Sequence, residues 1–218
     1  MARHPIPLLL CASLAALTVL PLSPASAGLF GPGKFTVEQS NDRFSSDGVT
    51  TYLGHNNRVS KKSVAGGIHV DDKGMYIEPL ATRRKSDGSL VGVGFFIHNE
   101  TDYDTGWGSP NRIGVPERIT FIPNGGHPIS AAITNGGSKW GDRNSYNSIT
   151  NSASSPIQES GFADLSADQF QRIATATTIA VKVEGSERSA VYDERVIAKS
   201  FLPNLRTFYA SVVTNSSH

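Results

Sequence analysis

From residue 90 the chain reads LVGVGFFIH, with an apolar side chain at every second position. Val91, Val93, Phe95 and Ile97 alternate with Gly92, Gly94, Phe96 and His98, the period-two pattern of a β-strand that turns one face to a core. A helix cannot bring those four apolar residues to one side, so the stretch commits the chain to a sheet. The two glycines on the other face predict a bend or a close approach by a neighbouring element. His98 closes that face and reads as a half-exposed, hydrogen-bonded histidine at a strand end. Asn99 opens the turn-forming run NETDYDTG, so residues 99–107 read as a loop dense in acidic and aromatic side chains.

The remaining strands are expected around turn signals. Residues 34–39 (KFTVEQ) and 49–53 (VTTYL) read as strands on either side of Asp47-Gly48. Residues 75–79 (MYIEP) continue extended to residue 85, and Ser86-Asp87-Gly88-Ser89 turns them back antiparallel into the strand at 90. A second hairpin joins residues 117–123 (ERITFIP) to 127–134 (HPISAAIT) through Asn124-Gly125-Gly126. Residues 135–155 are polar, rich in Gly, Ser and Asn, and aperiodic, which predicts a long flexible surface loop. Trp140 and Tyr146 are unusual in such a segment.

The C-terminal third carries helix signals. Ser166 with Gln169 forms a capping box, and Leu165 with Phe170 a hydrophobic staple, which starts a helix over about residues 166–177. Residues 179–183 (IAVKV) then read as a strand, and Gly185-Ser186 turns it back into residues 190–197. Pro203 suits the first turn of a last helix over about residues 202–213, with Leu202, Leu205, Phe208, Tyr209 and Val212 at helical spacing. The whole pattern predicts an α+β fold: a mainly antiparallel sheet arranged as a two-layered sandwich, with these two helices packed on it.

The start of the chain bounds where this fold works. Arg3 and His4 form a basic region, residues 8–20 an apolar one, and Ala25-Ser26-Ala27 a small-residue cleavage site, so residues 1–27 read as a signal peptide cut after Ala27. The apolar run is shorter than the roughly 20 residues of a membrane span, and no later segment reads as one. Residues 28–218 are then a single exported domain, periplasmic or secreted. Cys11 is the sole cysteine, so the mature part has no disulfide, no lipid-bearing cysteine, no thiolate nucleophile and no thiolate metal site; it depends on core burial for stability. Removing Arg3 leaves 19 basic residues against 19 acidic ones, so net charge supplies no case for a nucleic-acid or anionic-membrane partner.

The segment QESGFADLSADQFQRIATATTIAVKVEGSE through LRTFYASVV resembles a C-terminal pattern of exported bacterial envelope proteins of unknown function, in which a short helix is followed by a strand, a hairpin and a closing helix on the sheet. The resemblance implies a bacterial envelope setting and transfers no functional residue.

The usual catalytic signatures are missing. No serine has a G-x-S-x-G surround, no S-x-x-K or H-E-x-x-H occurs, and the G-x-G triplets lack the later glycine of a dinucleotide loop. His55, His69, His98, His127 and His218 are scattered, with no pair at metal-ligand spacing, and no cofactor is expected. Glu100, Asp102 and Asp104 offer hard oxygens as a calcium alternative, without the order of a calcium loop; the simpler reading is an acidic turn. Two carboxylates for cell-wall polysaccharide hydrolysis are available among Glu100, Asp102, Asp104, Glu117 and Glu159, but spacing selects no pair. The candidate binding residues are Tyr103, Trp107, Trp140, Tyr146, Asp102 and Asp104, since aromatic side chains outside strands dominate many recognition surfaces. The alternative is that the tryptophans fold back to plug the ends of the sandwich. The expectation is a non-enzymatic binding or inhibitor-type module recognising an envelope or extracellular protein or glycan. A carboxylate-dependent hydrolase and a structural envelope component are the other two classes.

Overall fold

The computed structural model describes residues 34–40, 48–60, 64–65, 68–69, 73–105, 108, 111–142, 146, 148 and 153–214. The signal-peptide reading of residues 1–27 lies outside them. The strands are β1 (Thr36–Ser40), β2 (Val49–His55), β3 (Val64–Ala65), β4 (Ile68–His69), β5 (Gly74–Arg84), β6 (Leu90–Asp104), β7 (Pro116–Pro123), β8 (Ile129–Trp140), β9 (Ser154–Leu165), β10 (Ile179–Gly185) and β11 (Ser189–Tyr192). Helix α1 (Ala167–Ala174) precedes β10; α2 (Phe201–Phe208) runs into a π-helical turn, Tyr209–Val213. Among the described residues, nine strands form one antiparallel sheet in the order β1-β2-β5-β6-β9-β8-β7-β10-β11, and β3 pairs with β4 apart from it. The architecture is α+β, as expected. Among the described residues no helix is long and apolar enough to cross a membrane.

The turn signals act where they are written. Gly88 takes a left-handed φ of 67° between β5 and β6, and Asn124 and Gly125 do the same at 52° and 63° between β7 and β8, the geometry that matches strand twist in a tight hairpin. The capping box also forms: the Gln169 N–H donates to Ser166 Oγ at 3.2 Å, and the Ser166 N–H donates to Gln169 Oε1 at 3.0 Å. The helix it starts ends at Ala174, shorter than expected, because Ala176 to Thr178 lead into β10.

In β6, Val93, Phe95 and Ile97 are buried, but Val91 is 53% exposed because it stands at the strand start, beside a register shift at Thr82/Arg83 of β5. Gly94 shows the close approach expected of it: a Cβ there would run into the carbonyl oxygen of Ala163 on β9.

Three strand spacings separate Phe95 on β6 from Phe121 on β7, about 14 Å in a flat sheet, yet their rings lie 5.1 Å apart. The sheet therefore curls strongly. β8 accommodates the curl: Ile129 to Ala132 pair with β7, whereas Ile133 and Thr134, and past a shift Gly137 to Trp140, pair with β9. Helix α1 closes the concave side by setting Phe170 against Phe95 at 5.2 Å and against Phe208 of α2 at 6.2 Å. Burying this aromatic file supplies the stabilisation that a disulfide-free chain requires, about 1.5–3 kcal/mol for each large side chain.

Two loop expectations are corrected. Residues 99–104 are strand, because β9 offers a ladder partner to each of them, from Asn99↔Glu159 to Asp104↔Ser154. Residues 135–140 are strand as well: Gly137 to Trp140 pair with β9 beyond a bulge at Asn135 and Gly136, where Asn135 has a φ of 51°. In both cases cross-strand pairing overrides the local turn preference of Asn, Asp and Gly.

Candidate functional site

The expected binding residues converge in part. Tyr103 stands near the end of β6 and Trp140 at the end of β8, both next to β9. Their rings lie 5.5 Å apart at 54°, and the two residues are 37% and 46% exposed. The guanidinium of Arg112 lies over the Trp140 ring, 5.2 Å from its centroid. The tryptophan is therefore not a plug at the end of the sheet; it is a half-exposed ring held between a tyrosine and an arginine. Tyr146 is 61% exposed. Trp107 lies outside the described residues.

A buried carboxylate holds this surface in place. Glu159 on β9 is fully buried and accepts hydrogen bonds from Asn99 Nδ2 at 2.8 Å, the Ile113 N–H at 3.0 Å and the Gly114 N–H at 2.6 Å. These bonds fix the segment that carries Arg112, whose Nη2 meets Glu187 Oε1 at 2.5 Å. Arg112 is thus tethered before it covers Trp140. Glu159, one of the carboxylates the sequence offers for hydrolysis, forms this clamp.

The acidic candidates are spread along one face of β6. Glu100, Asp102 and Asp104 occupy alternate positions of an extended strand, not a cation-wrapping loop. Asp102 is ion-paired with Lys73. The backbone of Asp104 exchanges hydrogen bonds with Gly108 at 3.0 and 2.7 Å. Among the described residues no three His, Cys, Asp or Glu side chains are arranged to hold a metal ion.

A second constellation has no sequence candidate but His98. It lies on the outer face of the sheet, opposite the core face of Phe95. Glu78 of β5 is 4% exposed, and its Oε2 is 3.8 Å from Nδ1 of both His55 on β2 and His98 on β6. His55 Nε2 meets Glu38 Oε2 of β1 at 3.0 Å. The Asn56 N–H donates to Glu78 Oε1 at 3.0 Å, from a left-handed φ of 65°. Tyr76 stacks on His98 at 4.7 Å, and a row of rings continues through Phe96 to Phe162 at 5.4 and 4.9 Å. Burial pushes the Glu78 carboxyl up to about 7; the Asn56 N–H opposes this and the charge of Glu100 adds to it. Burial, and then the charge of His55, lower His98 to about 4. His98 is accordingly no strand-end residue: β6 runs six residues beyond it, from Asn99 to Asp104. The available signal was Glu78 itself, a charged residue inside the apolar run MYIEPLA.

No family model, curated protein or solved structure matches this chain.

Proposed function

We propose that this chain is an exported recognition module that binds another protein through the Tyr103–Trp140–Arg112 surface. The carrying observation is their convergence: three separate segments bring a tyrosine, a tryptophan and an arginine into one half-exposed cluster. Those residue types dominate protein–protein hot spots because they offer large rigid contact area and a polar handle. The cluster favours a protein over a glycan. The two rings are tilted by 54°, and Arg112 takes one face of Trp140, so they present no flat pair of faces for a sugar to lie on. The clamp from Glu159 supports the same reading, since a preordered contact loses less entropy on binding. On this reading the curled sheet is a two-layered scaffold, and the partner is met in the envelope or outside the cell, as the signal-peptide pattern implies.

The test is capture from envelope extract on the native protein and on a Tyr103→Ala/Trp140→Ala variant with unchanged Tm, followed by titration of the purified captured protein. The expected result is one protein partner whose affinity falls at least hundredfold in the variant, about 3 kcal/mol. Equal affinity for both proteins overturns the proposal, as does binding confined to glycans.

A further inference from the structure

The outer face carries chemistry that the recognition surface does not use. We propose that Glu78 and His98 form a general-base dyad, in which His98 Nε2 activates a water for attack on the carbonyl of a small ester whose apolar acyl group lies against Phe96 and Phe162.

The geometry assigns the roles. His98 turns Nδ1 toward Glu78 at 3.8 Å, and its side chain is 20% exposed. Glu78 lies behind it at 5% side-chain exposure, so the carboxyl acts through the imidazole and is a positioning residue. His55 differs from His98 in that its Nε2 is already engaged, by Glu38 Oε2 at 3.0 Å. Tyr76 stacks on His98 and fixes its plane. Phe96 and Phe162, both half-buried, extend the ring row away from His98 and supply an apolar surface for an acyl chain. A separation of 3.8 Å is long for a catalytic hydrogen bond, but such contacts tighten when substrate is bound. A glutamine at position 78 would satisfy the Asn56 N–H equally well, so that hydrogen bond does not by itself require an ionisable group there.

The tautomer sets when the dyad works. An ionised Glu78 accepts the Nδ1 proton of His98 and leaves the Nε2 lone pair free to take a proton from water. A protonated Glu78 donates to Nδ1 instead, which puts the ring proton on Nε2 and removes the base. The groups that bear on this equilibrium are Glu38, His55 and Glu100, with the Asn56 N–H holding the other carboxyl oxygen. In the reaction the water proton passes to Nε2 as the hydroxide oxygen bonds to the carbonyl carbon. The carbon–oxygen bond to the alcohol then breaks, and the proton on Nε2 passes to the leaving oxygen. The products are a carboxylic acid and an alcohol, with water as the one co-reactant.

The probe is p-nitrophenyl butyrate, hydrolysed by the full chain between pH 5 and 9. Ionisation of Glu78 predicts a kcat/KM that rises about tenfold between pH 6 and 8 and then levels. His98→Gln abolishes the activity, and Glu78→Gln lowers it at least tenfold at pH 8 and removes the rise. A flat native profile, a rate no greater than that of equimolar 4-methylimidazole, or native turnover in a folded His98→Gln protein overturns the proposal. Should either variant fail to fold, the native profile against 4-methylimidazole decides alone.

Discussion

Nδ1 of His98 stands 3.8 Å from Oε2 of Glu78, and burial pushes these two groups in opposite directions. The raised Glu78 stabilises the fold fully below pH 4.5, and that contribution is lost as pH rises through about 7. The lowered His98 stabilises it above pH 6.5, and that contribution is lost as pH falls through about 4. The two dependences mirror each other, so together they leave the native stability nearly flat across that window. Single variants unmask them. Glu78→Gln leaves the His98 dependence alone, so that protein gains stability as pH rises from 4 to 6.5; His98→Phe leaves the Glu78 dependence alone and loses stability from pH 4.5 to 7, each by about 3 kcal/mol. Urea titrations across pH measure both slopes; two slopes of the same sign would refute the account.

Gly94 and Gly92 lie two residues apart in β6 and differ in what a methyl group meets. Gly94→Ala drives Cβ into the Ala163 carbonyl and is expected to cost about 3 kcal/mol. Gly92 has no atom within 4 Å of a Cβ, so Gly92→Ala is expected to change stability by less than about 0.5 kcal/mol. Thermal melts of the two proteins are the measurement, and similar melting temperatures would contradict the packing described.

Arg83 staples the end of the chain to the sheet. It is buried, and it donates to the Val212 carbonyl at 2.7 Å, the Val213 carbonyl at 2.9 Å and the Gly88 carbonyl at 2.6 Å. Arg83→Met keeps much of the side chain's bulk but leaves these carbonyls without a donor, for an expected loss of about 2–4 kcal/mol. Arg83→Lys recovers little of it, because one ammonium cannot reproduce a planar fork. Hydrogen exchange is expected to speed up first at Thr214, whose N–H closes the π turn on Tyr209 at 3.0 Å.

Glu159→Gln tests whether the recognition surface is held from behind. The amide offers one acceptor oxygen where the carboxylate offers two, and it sets an NH2 against a backbone N–H. A loss of about 2–3 kcal/mol is expected. In a Trp107→Phe background the emission of Trp140 should also shift, as Arg112 loses its tethered segment. Unchanged stability and emission would show that Glu159 does not order this surface.

Much of the fold was legible because local chemistry and tertiary structure agree. The alternation at 93–97, the left-handed turns at Gly88 and Asn124-Gly125, and the Ser166–Gln169 box depend on side chains close in sequence. Where local preference and pairing disagree, as at 99–104 and 135–140, the sequence points to loop and β9 makes strand. The candidate surface was half legible: Tyr103 and Trp140 stand out by residue type, but their contact requires both strands to flank β9.

The outer-face cluster was not legible, because Glu38, His55, Glu78 and His98 stand on four strands and meet only through the register of the sheet. The sequence by itself determined that this chain makes hairpins, caps its helix, has a single cysteine and so no intrachain disulfide, and supports its fold by apolar burial. Those outcomes follow from backbone preferences and side-chain polarity, which act over a few residues. The tertiary structure decided which charged groups are buried and which rings touch. Desolvation and contact arise between residues far apart in the chain, and they exist only once the strands have paired.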